Sequence, residues 1–100
     1  MYDMKNMTKL KKFGELAPEA FKAFMAFDEA ALADGAIPVK YKELMAVAVA
    51  LTTQCPYCIE IHTKRAKKAG VTEAELAETT LVAAALQAGA AMTHGTHTLE

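Results

Sequence analysis

The sequence predicts an all-α protein, a small helical bundle that oligomerises through apolar helices, and three observations predict it. Apolar residues recur at i, i+3, i+4 spacing along most of the chain. No segment alternates apolar and polar residues between turn signals, as a half-buried strand does. Finally, 53% of the 100 residues are hydrophobic, with abundant Ala and no Trp. A chain of this size buries only about two-thirds of its unfolded surface by itself, so this much apolar material points to a homo-oligomer.

Residues 1–17 read as an N-terminal arm rich in Lys and Met, with Met4, Met7, Leu10 and Phe13 at roughly helical spacing. Pro18 opens the first well-marked helix, over 18–33. There Phe21, Phe24, Met25, Asp28, Ala31 and Leu32 share a face, and Gly35 supplies the stop. Pro38 starts the second helix, although Ile37 before it is a poor cap. From Leu44 to Leu51 this helix is apolar all round, which predicts burial on more than one side; it stops near Thr52–Gln54. Cys55 then falls at an N-cap and Pro56 at N1 of a third helix over 56–69, with Gly70 as its C′ residue. Lys64, Arg65, Lys67 and Lys68 crowd its negative end. Thr72 and Glu75 spell a capping box, Val71 and Leu76 a hydrophobic staple, for a fourth helix from 73 to about 93. Small residues between Leu81 and Met92 let helix axes approach closely, in a packing element or a subunit interface. Gly95 reads as the helix stop, flanked by His94 and His97. One domain thus spans 18–95, with 96–100 as a tail.

Charge and cysteine content narrow the function classes. The formal net charge of −1 argues against bulk attraction to nucleic acid or anionic lipid, and the basic run at 64–68 reads as a solvated helix end. The N-terminus is polar and shows no secretory h-region. The longest unbroken apolar run, Leu44 to Leu51, is eight residues, where a membrane span needs about 20. The expectation is a soluble, cytoplasmic protein. Its two cysteines stand three apart, a pattern for redox or metal work rather than a secreted scaffold.

The chemistry concentrates between residues 43 and 62. Cys55 and Cys58 are i, i+3 across a helix start, which puts their α-carbons about 5–6 Å apart, inside the range a disulfide accepts. Cys58 and His62 are i, i+4 and share a face. A helix N-terminus favours thiolate over thiol. An ordinary thiol, with pKa about 8.5, is only a few per cent thiolate at neutral pH, and a fall of about 1.5 units makes roughly half of it reactive. A thiolate that meets a peroxide becomes a sulfenic acid, and a second cysteine at disulfide distance captures it before further oxidation. Glu43 lies on the line Glu43–Val47–Ala50–Gln54, which leads towards Cys55. If the second and third helices fold back antiparallel, Glu43 comes within about a turn of His62, placed to hold its tautomer and accept its proton.

Other readings of these residues stay open. Cys-Pro-Tyr-Cys is also the glutaredoxin tetrapeptide, but there it follows a strand, and here the segment before it reads as a helix. Cys55, Cys58 and His62 with Glu43 or His94 would make a zinc set, without the usual second pair of closely spaced ligands. Glu43 beside Lys40 and Lys42 has the surroundings of a solvated acid. Tyr57 reads as a packing residue, Glu60 pairs with Lys64 in the favoured order, and the methionines read as filler.

Glu43, eleven residues, Cys55-Pro56-Tyr57-Cys58, three residues, His62: this pattern resembles the signature of the alkyl hydroperoxidase D-like (AhpD-like) proteins of the carboxymuconolactone decarboxylase superfamily. The resemblance covers about residues 38–95, with its specific part at 43–62. It implies an all-helical bundle assembled as trimers or hexamers, with peroxiredoxin-type activity and neither cofactor nor metal. Cys58 would attack a hydroperoxide, Cys55 would resolve the sulfenic acid, and Glu43 and His62 would relay the proton through a water. A lipoyl-bearing or thioredoxin-like protein is the implied thiol reductant. One position departs from the family: its well-studied members carry His immediately before the second cysteine, where this chain has Tyr57, and a phenol is a poor base at neutral pH. Relatives that decarboxylate the lactone generally lack the cysteine pair, which sets that reaction aside. The expectation is a dithiol peroxidase; the alternative is a thiol–disulfide exchange or zinc-binding module.

Overall fold

Among residues 2–100, which the computed structural model describes, there are five α-helices and no strand. They are α1 (Leu10–Leu16), α2 (Pro18–Leu32), α3 (Val39–Thr53), α4 (Pro56–Lys68) and α5 (Glu73–Gly95), with 3-10 turns at Met4–Lys9 and Thr96–Thr98. The all-α expectation holds. Met1, part of the expected N-terminal arm, lies outside the described residues; the rest of that arm is the first 3-10 turn and α1.

Helix α3 is central. It packs along α4 and along α5, whereas α2 touches it lightly. Helix α1 folds back on α2, with Phe13 stacked on Phe21 at 6.4 Å between ring centroids. Gly14 leaves room for this, since a Cβ there would sit 3.2 Å from the Phe21 ring.

Local chemistry sets the boundaries. Pro38 is the N-cap of α3, in extended conformation, rather than its first residue. The weak cap foreseen at Ile37 is replaced by a carboxylate from further back, as Val39 N–H donates to Asp34 Oδ1 at 2.8 Å. Lys42 then closes α2, its ammonium donating to the Ala31 and Ala33 carbonyls at 2.9 and 2.6 Å. At the far end of α3, Gln54 takes the left-handed conformation (φ 56°, ψ 48°). Only Gln54 and Cys55 separate α3 from α4, and so short a link makes the two helices antiparallel neighbours.

Gly70 ends α4 with φ 92°. The Gly70 and Val71 N–H groups donate to the Lys67 and Ala66 carbonyls at 3.1 and 3.0 Å. That is a Schellman turn, and its two apolar partners, Ala66 and Val71, are both buried. The capping box at α5 forms as written: Glu75 N–H donates to Thr72 Oγ1 at 3.1 Å, and Thr72 N–H to Glu75 Oε1 at 2.9 Å. Lys40 of α3 adds an ion pair to Glu75 at 3.1 Å. Gly95 ends α5 as read from the sequence, but without a left-handed turn. Its φ of −58° is helical, and the second 3-10 turn follows directly.

The buried apolar set is small: Val47, Ala50, Ala66, Val71 and Ala83. Helices α4 and α5 cover two sides of α3, as its apolar run predicts, yet Met45 and Val49 of that run stay more than half exposed. Of the small-residue stretch of α5, only Ala83 is buried, while Leu81, Val82, Leu86 and Met92 face outward. The radius of gyration, 16.6 Å, exceeds the roughly 13 Å of a compact 100-residue domain. Among the described residues, no helix is long and apolar enough to cross a membrane.

Candidate functional site

The α3–α4 link builds the site. Cys55 is the N-cap of α4, and its Sγ accepts from Cys58 N–H at 3.2 Å. Pro56 at N1 has no N–H to satisfy, and the Cys58 N–H, two residues on, is the donor that the sulfur caps. Cys55 and Cys58 are joined in a disulfide, with their α-carbons 5.3 Å apart, inside the separation expected from the i, i+3 spacing.

One turn further along α4, His62 meets α3. Its Nδ1 stands 2.7 Å from Glu43 Oε2. Glu43 is 4% exposed, the one buried charged residue among those described, and the imidazole is half-buried beside it. A carboxylate withdrawn from water needs such a partner. With Glu43 accepting at Nδ1, the nitrogen left as a base is Nε2. The solvated-acid reading of Glu43 does not apply, because Lys40 and Lys42 are engaged elsewhere, with Glu75 and the end of α2.

Two cavities flank the Glu43–His62 pair. The first, about 400 Å³, is lined mainly by apolar side chains such as Leu32, Ile37, Met45 and Val49, and reaches both Cys58 and His62; Cys55 is not part of its wall. The second, about 430 Å³, holds Glu43, Glu29 and Arg65. An acid–base pair thus lies between an apolar chamber that reaches a sulfur and a second one that holds charged side chains.

Tyr57 does more than pack. Its hydroxyl oxygen accepts from Asn6 Nδ2 at 2.9 Å and from Asp3 N–H at 3.4 Å. The Tyr2 ring stands edge-on to it at 4.8 Å. Desolvation there, and then the charge of Glu60, raise the Tyr2 phenol above its ordinary pKa. No feature of the sequence pattern pointed to Tyr2, Asp3 or Asn6, because all three are far from Tyr57 in the chain, Asn6 and Asp3 by 51 and 54 residues. His94 lies against His97, ring to ring at 5.7 Å, and Lys64 approaches Glu60 at 4.0 Å as its spacing suggested. Among the described residues, no group of three or more His, Cys, Asp or Glu side chains is arranged to hold a metal ion.

Comparison with known proteins agrees with this frame. The sequence profile of the carboxymuconolactone decarboxylase family matches residues 18–100, and the chain belongs to that family. The match includes α2, so it is wider than the 38–95 read from the motif. In solved structures, the chain is similar to a protein from Methanobacterium thermoautotrophicum, with a TM-score of 0.82 and 36% identity over 88% of this chain and 99% of that one. It is also similar to the apo form of a carboxymuconolactone decarboxylase family protein from Legionella pneumophila, with a TM-score of 0.78 and 36% identity over 92% of this chain and 82% of the other. Among curated sequences it is 47% identical over 77 residues to "Uncharacterized protein 4 in cox locus" of Paracoccus denitrificans, spanning 69% of that protein. A Cupriavidus necator relative is 40% identical over 65 residues, and the chain spans 58% of its length.

Proposed function

We propose that the protein is a cytoplasmic dithiol oxidoreductase that reduces hydroperoxides. The observation that carries this reading is the 2.7 Å Glu43–His62 contact beside a chamber reaching Cys58. In the reduced protein, the Cys58 thiolate attacks the outer oxygen of a hydroperoxide. The S–O bond forms as the O–O bond breaks, and the departing alkoxide takes the proton that His62 Nε2 accepted from the Cys58 thiol, with Glu43 stabilising the imidazolium in between. The Cys55 thiolate, supported by the Cys58 N–H, then attacks the sulfenic sulfur. The S–S bond forms, and hydroxide leaves as water with the proton that the Cys55 thiol gave up. One hydroperoxide becomes an alcohol and water, and two thiols become the disulfide. A thiol reductant, lipoyl-bearing or thioredoxin-like, returns the two electrons, and a reducing compartment suits that cycle. The apolar chamber favours an organic hydroperoxide over hydrogen peroxide. We assign a homo-oligomer, trimer or hexamer, to cover the exposed apolar side chains.

Thiol counting tests the reading. One equivalent of hydroperoxide should remove two thiols from the reduced protein. Cys58→Ser should abolish this, and Cys55→Ser should leave one turnover and a trapped sulfenic acid. A Cys58→Ser protein with full activity sinks the assignment. The second reading is disulfide exchange without peroxidase activity, favoured by the N-cap contact at Cys55; reduced protein that keeps its thiols with peroxide but exchanges with a partner disulfide would support it. Near-stoichiometric zinc in the purified protein would instead support a zinc-binding module.

A further inference from the structure

Resting on this dithiol reading, we propose that residues 2–9 form a strap, clasped to Tyr57, that selects the reductant of the Cys55–Cys58 disulfide by size. Small thiols pass it closed, and protein dithiols require it open. The strap lies outside the part of the chain that the family profile covers, residues 18–100. It is anchored on Tyr57, one of the two residues between the cysteines, by Asn6 Nδ2 at 2.9 Å, Asp3 N–H at 3.4 Å and the Tyr2 ring.

Two approaches to the disulfide follow. Cys58 is reached through the apolar chamber between α2, α3 and α4, whose wall includes no strap residue. A dithiol small enough for a chamber of about 400 Å³ therefore meets no obstacle from the strap. A protein reductant arrives differently. Even weak redox encounters bury up to about 1,200 Å² in total, about 600 Å² from each partner. A footprint of that size centred on Cys55 and Cys58 takes in Tyr57 and whatever lies on it. The closed strap is then in the way.

The hold is weak enough to open. Residues Met4–Lys9 bury no side chain, and each hydrogen bond to the Tyr57 hydroxyl is worth about 1 kcal/mol, so the strap opens at a cost that thermal fluctuation meets. Reduction itself is thiol–disulfide exchange. A reductant thiolate attacks one sulfur, a mixed disulfide forms as the Cys55–Cys58 bond breaks, and the freed cysteine thiolate takes up a proton. The reductant's second thiolate then displaces the other cysteine, so two electrons enter the protein and the reductant leaves as a disulfide.

The test compares rate constants for reduction of the oxidised full-length protein by dithiothreitol and by reduced thioredoxin. Asn6→Ala should raise the thioredoxin rate about 5-fold, the effect of losing one hydrogen bond. Deleting residues 2–9 should raise it about 10- to 30-fold, and the dithiothreitol rate should stay within about 2-fold throughout. The deletion removes no buried side chain, and a circular-dichroism melt checks its fold. Equal rises with both reductants, or a deletion variant no faster with thioredoxin than the parent, overturn the strap. These rates need no peroxide, so a failure of thiol loss with hydroperoxide would sink the peroxidase reading and leave the strap result legible.

Discussion

Glu43 is the residue on which fold and chemistry meet, because α3 holds a carboxylate where 4% of the residue is exposed. Its place was legible in the sequence: the line through Val47 and Ala50 is the buried edge of α3, and a two-residue link to α4 folds that edge onto His62. Glu43→Gln keeps the shape and removes the charge. Hydroperoxide-dependent thiol loss should fall about 100-fold, measured by stopped flow, with the far-ultraviolet spectrum unchanged. His62→Ala acts on stability as well, since it leaves the Glu43 carboxylate buried without its imidazole. Urea denaturation at pH 7 should report a loss of about 2 kcal/mol. The surroundings of Tyr57 were not legible, because its partners come from the far end of the chain.

At the scale of single elements, turn and cap chemistry predicted most of the outcome. Gly70 is required by its φ of 92°, and no atom lies within 4 Å of where a Cβ would stand. Gly70→Ala should therefore cost backbone strain alone, about 1 kcal/mol, read as a lower melting temperature. Gln54 holds a left-handed position without glycine, and Gln54→Gly should raise that temperature. The α5 cap carries a pH signature. The Thr72 N–H bond, and then Lys40, lower the Glu75 pKa in the folded state. The ionised carboxylate is the form the fold favours, so this contribution is present above the ordinary carboxylate range and is lost as pH falls through the folded value. Glu75→Gln should lower the neutral region of a stability–pH curve and flatten its acid limb, so that the two curves converge at low pH. Gly95 ends α5 without the left-handed turn that glycine permits, and a 3-10 turn follows from Thr96.

For the molecule as a whole, the exposed apolar surface is the dominant fact. Leu81, Leu86 and Met92 are 68%, 68% and 78% exposed along α5, and so few buried side chains make a thin core for 100 residues. In a monomer, Leu86→Glu would change stability by no more than about 0.5 kcal/mol. In the proposed oligomer it buries a charge, and sedimentation should show dissociation to single chains. Unchanged single-chain mass in both proteins would reject the oligomer.

Helix positions, the capping box, the Schellman turn and the Cys55–Cys58 separation follow from residues a few places apart, so the sequence by itself determined them. The antiparallel return of α3 on α4 was half determined, by the shortness of its link. The apolar chamber beside Cys58 and the clasp of residues 2–9 on Tyr57 were decided only by tertiary structure. Local propensity acts along the chain over one or two turns. A cavity or a contact between distant residues exists only once the packing of helices has brought their surfaces together.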